Sequence, residues 1–425
     1  MRSNAVAAAT FSLVALLAPA AALATAPAPR PNGELLLKEA WQHVKKNFYD
    51  KKLHGVDWDA AFEKYRDQAR DAESPEDAHL AVNRMLGELG ASHTVLMERD
   101  TYELLDAELM GQDVLQTGVQ LEWRDTGFFV RTMFERGPGE KAGLRIGDRI
   151  VSVDGEKPED SERLVTAIHD VRFRGEPIFF IVADGERPVR LVVQRTPSAS
   201  SRFETRLRPE KTGAVRVARE SVTVEEVDGY RIGRIHLWYF PMGKFLDVIT
   251  EALMGPLQGC DGLILDMRGR GGYEHVGWAI IQMLRSGAAK FDGEIVALID
   301  EQTRSAKEVF AYRFREAKLG TLVGRKTPGS VLGAVFRSLS DGSVLMIGGK
   351  DVRVGRGVKL EGRGVAPDVL VEEHFPDYAN GFDPIYETGL EVVLEKCRAR
   401  ERRSSRGRAV LFEEAPRAAV AAPLY

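Results

Sequence analysis

The sequence predicts a multidomain α/β protein: a helical block, a small β block, and a larger domain in which buried strands alternate with helices. Three observations predict it. Apolar residues recur at helical spacing over 34–105. The pattern changes to short strands over 113–197. A strand–turn–helix sequence with near-continuous apolar strands then repeats over 220–372. At roughly 100–200 residues per domain, the chain of 425 residues has room for about two to four domains. With 44% hydrophobic and 29% charged residues it is globular rather than disordered or fibrous. A net charge of -4 gives no bulk attraction to nucleic acid or an anionic membrane.

The first 24 residues read as a secretory signal peptide. Arg2 is a basic start, 11–18 an apolar run, and Ala22-Leu23-Ala24 a small-x-small cleavage site, with Ala24-Thr25-Ala26 as a second option. The apolar run is short for a span, and no cysteine follows it to carry a lipid anchor. The Pro-rich linker 25–33 follows, so the mature chain is expected outside the cytoplasm, periplasmic or secreted, with no stable membrane span.

The helical block is expected over 34–110. Leu36, Ala40, Trp41, Val44 and Phe48 share one face, and Ala60, Phe62, Tyr65 and Ala69 another. Ser74-Pro75-Glu76-Asp77 combines an N-cap serine, proline at the first helical position and an acidic first turn. That helix should stop by Gly90, where a left-handed residue is cheap for glycine, just before Ser92-His93. In the β block, 113–197, strands are expected around 118–121, 128–131, 148–155, 179–182 and 189–193, with a turn and short helix at 137–144. In the third block, strands at 232–237, 262–267, 295–299 and 321–324 alternate with helices at 246–257, after Gly271-Gly272, and from about Ser305. Such crossover units present functional groups at the C-terminal ends of their strands. A helix at 373–397 and an Arg- and Ala-rich mobile tail at 398–425 complete the chain.

Three junctions carry chemistry. Ser305 sits where a buried strand feeds a helix. A serine there is exposed and aided by the helix N-terminus, although most such serines only cap. Asp266-Met267-Arg268-Gly269-Arg270-Gly271-Gly272 ends a strand in glycines, which let backbone N–H groups turn toward a developing oxyanion; a plain tight turn is the simpler reading. The third junction is 357–368, with Glu361 in it. No metal cluster, phosphate loop or nucleotide fingerprint is visible, so no cofactor is expected. Cys260 and Cys397 allow one disulfide at most.

The stretch GPGEKAGLRIGDRIVSVDG at 137–155 resembles a PDZ domain of the bacterial protease type. Such a domain captures an extended peptide as an added strand and holds its carboxylate on backbone N–H groups, here expected at Gly118, Val119, Gln120 and Leu121. Taken in order, the blocks over about 34–397 resemble the C-terminal processing peptidases, the tail-specific serine proteases that include the tricorn core. The resemblance implies a crotonase-like catalytic domain of ββα repeats. Its motifs appear as 266–273 (family D-x-R-x-N-x-G-G), Ser305-Ala306-Lys307-Glu308 (S-A-S-E) and 361–368 (E-G-x-G-V-x-P-D).

It implies Ser305 as nucleophile and oxyanion donors at Gly271 or Gly272 and Ala306. Two departures stand out. Ser330 occupies the place of the dyad lysine, with Lys326 about four positions away, and Arg270 replaces the family asparagine, with Tyr273 in place of a glycine. The tricorn-like branch supplies another base. Ser92-His93 matches its Ser-His pair and Glu361 its glutamate, and an imidazole with a pKa of about 6.5 is a better base than a lysine at about 10.4. His236 and His275 are less well placed, though His275 follows the glycine turn and lies within reach of substrate. The expected function is an exported serine endopeptidase acting on polypeptides with accessible C-termini. The alternative is a non-catalytic peptide- or apolar-ligand-binding protein of the same fold.

Overall fold

The computed structural model describes residues 32–413, other than 125, 169–177 and 287–290. The expected signal peptide and nearly all of the linker lie outside the described residues.

Side-chain caps start the helices of the first block. Asn32 accepts from Leu35 N–H ahead of α1 (Gly33–Asn47), and Asp57 from Ala60 N–H ahead of α2 (Trp58–Arg70). Ser74 Oγ accepts from Asp77 N–H at 3.1 Å, with Pro75 opening α3 (Pro75–Gly87). Each such cap is worth about 1 kcal/mol. The chain leaves α3 through Gly90 at φ +55° and runs into β1 (Val95–Met97) and α4 (Arg99–Leu109).

The second block holds β2 (Val114–Gln116), β3 (Val119–Arg124), β4 (Gly127–Met133), the short α5 (Pro138–Lys141), β5 (Arg149–Val153), β6 (Leu164–Ile168), β7 (Ile178–Ile181), β8 (Val189–Gln194) and β9 (Arg202–Leu207). Seven strands form one sheet in the order β6-β7-β3-β4-β5-β8-β9. Alternate residues such as Val119, Leu121, Leu191 and Val193 bury one face. β10 (Glu210–Thr212) pairs antiparallel with β2 and closes the block at its root.

After α6 (Ala214–Glu220) comes the α/β block: β11 (Thr223–Val227), β12 (Tyr230–His236), α7 (Phe245–Met254), β13 (Gly262–Asp266), α8 (Glu274–Ser286), β14 (Glu294–Ile299), α9 (Ala306–Glu316) and β15 (Thr321–Gly324). A hairpin of β16 (Gly333–Ser338) and β17 (Val344–Lys350) follows, then β18 (Arg353–Val354), β19 (Val358–Lys359), β20 (Val369–Leu370), α10 (Phe375–Ala379) and α11 (Pro384–Glu413). The sheet order is β11-β12-β13-β14-β15-β20, parallel from β12 onward. Leu263, Ile264, Val296 and Leu298 are wholly buried, because helices cover both faces.

The hairpin joins the first block to the third. β1 pairs antiparallel with β17 (Val95↔Met346, Met97↔Val344), and Leu345 and Ile347 share one apolar cluster with Leu37, Val44 and Met85. This three-stranded sheet was absent from the sequence reading, and it sets the position of the loop carrying Ser92 and His93.

Three expectations change. Residues 398–413 are helical rather than a mobile tail, tied down in part by Tyr230 donating to Glu401 at 2.6 Å; 414–425 lie outside the described residues. Cys260 and Cys397 are buried free thiols, so no disulfide joins them. Finally, β3 has no free edge: β4 pairs on one side and β7 on the other, with Gln120↔Phe180 and Leu121↔Phe179 in register. The strand expected to pair with a peptide already pairs with its own domain.

Candidate active site

Ser305 is the residue before the first turn of α9, at φ 54° and ψ −121°. A non-glycine backbone in that region is strained and persists only where its surroundings hold it. Here its N–H donates to Ser330 O at 2.9 Å and toward Glu308 Oε1 at 3.3 Å. The buried Glu308 carboxyl also accepts from Gly329 N–H, Ser330 N–H and Thr327 Oγ1 at 2.6–2.8 Å, clamping 327–330 onto the start of α9. Burial raises its pKa to about 7 against the pull of these donors. Ser330 thus serves the turn through its backbone, while Lys326 is exposed and lies outside the cavity that Ser305 faces.

That cavity, of about 340 Å³, brings together Ser92, His93, Gly271, Gly272, Ser305 and Ala306, each from the sequence-predicted set. Leu105 and Leu109 of α4, Tyr239, Val309, Phe336 and Met346 give it an apolar wall. Glu361 stands behind Ser92. Its Oε1 accepts from Ser92 N–H at 3.0 Å, and its Oε2 from Ser92 Oγ at 2.9 Å and Val331 N–H at 2.7 Å.

The hydrogen-bond network assigns the imidazole tautomer. The only proton of Ser92 Oγ goes to Glu361, so its 2.9 Å contact with His93 Nδ1 is one in which the ring donates. The lone pair is then on Nε2. Burial, with a smaller contribution from the Arg304 charge, lowers the His93 pKa to about 4 rather than the usual histidine range. The ring is therefore neutral at neutral pH. Among the described residues no hydrogen bond joins it to Ser305; such contacts often tighten only when substrate is bound.

The glycine turn supplies two N–H groups of unequal promise. Gly271 C=O accepts from Phe240 N–H at 2.9 Å, and Tyr273 N–H donates to Phe240 O at 2.8 Å. In a trans peptide the N–H of Gly272 points opposite to the C=O of Gly271, away from Phe240. Among the described residues the N–H groups of Gly271, Gly272 and Ala306 have no acceptor. Gly271 lies so close to Ser305 that an added Cβ would be 2.7 Å from the serine Cβ. Arg270 also lines this cavity, its guanidinium bonded to buried Glu108 and stacked on Phe180 and Tyr239.

Other candidates fall outside this arrangement. His236 is buried against Arg268 O at 2.9 Å, and His275 lines a separate surface groove with Trp278 and Arg313. Sequence reasoning missed α4 and the roles of Lys307 and Glu308. Two adjacent charged residues at the start of a helix otherwise apolar through Ala311 were the available signal.

Residues 274–371 match peptidase family S41, 33–87 the tricorn protease C1 domain, and 129–195 the PDZ domain. The carboxyl-terminal-processing protease of Synechocystis sp. is 24% identical over 389 residues, 84% of this chain and 86% of that one. The C-terminal processing peptidase, chloroplastic, of Tetradesmus obliquus is 28% identical over 80% of this chain and 77% of its own length. Putative tricorn protease homolog 2 of Streptomyces coelicolor is 26% identical over 84% of this chain, which spans only 32% of that relative. Of solved structures, the photosystem II D1 C-terminal processing protease superposes with a TM-score of 0.55 at 24% identity, covering 87% of this chain and 97% of that one. A PDZ-like segment and a peptidase-like segment thus lie in one chain. The chain is similar to peptidase family S41 over 274–371 and shares its fold with the photosystem II D1 C-terminal processing protease.

Proposed function

We propose that this chain is an exported serine endopeptidase that cuts polypeptides near their C-termini, with Ser305 as nucleophile and His93 as its base. One observation carries the reading: the Glu361–Ser92–His93 chain leaves the lone pair on Nε2 of a histidine that lines the same cavity as Ser305. Ser305 attacks the scissile carbonyl, His93 takes its proton, and Ser92 with Glu361 holds the ring and favours the imidazolium. Gly272 and Ala306 N–H groups then receive the oxyanion. Export rests on the 1–24 pattern, and action at C-termini on the PDZ domain together with the relatives' names.

An alkyl fluorophosphonate tests the chemistry. The native protein is expected to label at one site, Ser305→Ala not at all, and Lys326→Ala as fast as native, measured by intact mass. Absence of label in the native protein would leave a binding protein in a peptidase fold.

Tail capture at Gly118, Val119, Gln120 and Leu121 requires β7 to leave the edge of β3. In Ser305→Ala protein, a saturating apolar peptide with a free carboxylate should speed amide hydrogen exchange across 178–181. Its amidated form should do so far less. Unchanged exchange with both peptides would rule out capture at that strand.

A further inference from the structure

Lys307 is fully buried, two residues beyond Ser305 in the first turn of α9. An ammonium in such a place is costly unless acceptors surround it. Its Nζ meets three main-chain carbonyls: Trp238 O at 2.8 Å, Met267 O at 3.2 Å and Arg268 O at 3.4 Å. The ring of Phe240 lies 5.8 Å away. Trp238 and Phe240 follow β12, and Met267 and Arg268 follow β13. One side chain from α9 therefore ties together the ends of the two strands that hold the glycine turn.

The two N–H groups left without an acceptor beside Ser305 come from different elements. Ala306 belongs to α9, and Gly272 to the segment after β13, anchored on Phe240 through Gly271 C=O and Tyr273 N–H. The spacing between these donors is not set by either element alone. We propose that Lys307 is a positioning residue for the oxyanion hole, its ammonium fixing the 267–272 turn against the start of α9 so that Gly272 and Ala306 N–H groups converge on one point. It is not a rival base. Its Nζ is committed to Trp238, Met267 and Arg268 carbonyls, and none of its hydrogen bonds reaches Ser305. The proposal rests on the peptidase reading above and adds a residue to it.

Burial lowers the Lys307 pKa to about 7, with Asp266 and Asp300 pulling it up and Arg270 pushing it down. Other charged or titratable groups around the turn include His236, which shares Arg268 O, the Arg268 guanidinium on Asp266, Glu108 on Arg270, and Glu308 beside Lys307 on α9. Loss of the Lys307 proton removes a cation and one donor, so the turn loosens as pH rises. Protonation of Glu308 acts on the opposite, acidic side of the profile, and the two are separable by direction.

Fluorophosphonate saturation kinetics test the assignment on the full-length protein. Lys307→Met keeps length and apolarity but removes charge and donors. It is expected to fold, to keep the half-saturating concentration within about twofold, and to lower the maximal labelling rate roughly 100-fold, the size typical of losing an oxyanion donor. Lys307→Gln, which retains a donor without charge, should fall between them. The native maximal rate should decline above about pH 7, and the decline should vanish in both variants. A folded Lys307→Met that labels at the native rate overturns the proposal. So does a native rate flat to about pH 9, which decides the matter even if neither variant folds. A native protein that never labels sinks the peptidase reading and this one together, whereas a labelling native protein with indifferent variants sinks this one alone.

Discussion

His93→Ala is expected to lower peptide turnover by roughly 10⁴–10⁶-fold, close to the loss from Ser305→Ala, because members of one catalytic unit do not contribute additively. The argument starts from burial. The ring is partly buried in the cavity wall, its Nδ1 is committed to Ser92, and Ser92 is committed to the buried carboxylate of Glu361. Removing the ring takes away the imidazole beside Ser305; Lys326 is exposed, Lys307 faces carbonyls, and Glu274, which also lines the cavity, is paired with Arg313. The pH profile carries the sharper prediction. With the His93 pKa lowered to about 4, its neutral form is present at pH 5 and above, so the acid limb attributable to this ring should fall near pH 4 rather than at 6–7. Stability follows the same sign. The unfolded ring takes up its proton at about 6.5 and the folded ring only near 4, so the fold loses stability as pH drops between those values. Glu361→Gln should move the acid limb further down, because the imidazolium loses its countercharge. Turnover that survives in folded His93→Ala, or dies in Lys326→Ala, would hand the role of base to a lysine.

Much of the fold was legible because its signals are local. The 3.6 spacing of Leu36, Ala40, Val44 and Phe48, the Ser74-Pro75 cap and the apolar runs at 262–267 and 295–299 each correspond to an observed element within a few residues. The Ser305 turn and the glycine turn were legible for the same reason: each is a strand end followed by special backbone chemistry. The remainder depends on contacts far apart in sequence. Ser92 meets Glu361 across 269 positions, and that pair forms because β1 adds to β17, three residues whose pattern announces nothing. The covered edge of β3 was hidden too, since Phe179 and Phe180 read as a strand without naming its neighbour. Burial defeated the pKa expectation. The residue types Ser92-His93 suggested an ordinary histidine, and only packing reveals the desolvation and the Arg304 charge that lower its pKa. Lys307 was masked by a similar effect, as a lysine in a helix is ordinarily a solvated one.

Gly271→Ala is expected to reduce fluorophosphonate labelling and peptide turnover by about 10²–10³-fold in a protein that still folds. The cause is steric and local. An alanine Cβ at this position would lie 2.7 Å from Ser305 Cβ and 2.9 Å from Arg304 O, separations that real Cβ atoms do not adopt. Something must move. Phe240 N–H anchors Gly271 C=O on one side, and Ser305 is held on the other by Ser330 O and Glu308. Neither partner is the free end of a flexible side chain, so the strain falls on the spacing between the nucleophile and Gly272 N–H, the distance on which oxyanion stabilisation depends. The loss should appear in the maximal rate with little change in half-saturation, because the apolar wall of the cavity is untouched. Gly272→Ala is the harsher companion. Its φ of +120° disfavours any L side chain and its Cβ would collide with Phe240 O, so it should lower the unfolding midpoint as well as activity. Near-native labelling by folded Gly271→Ala would mean that the turn and Ser305 stand further apart in solution, and that the oxyanion donors lie elsewhere.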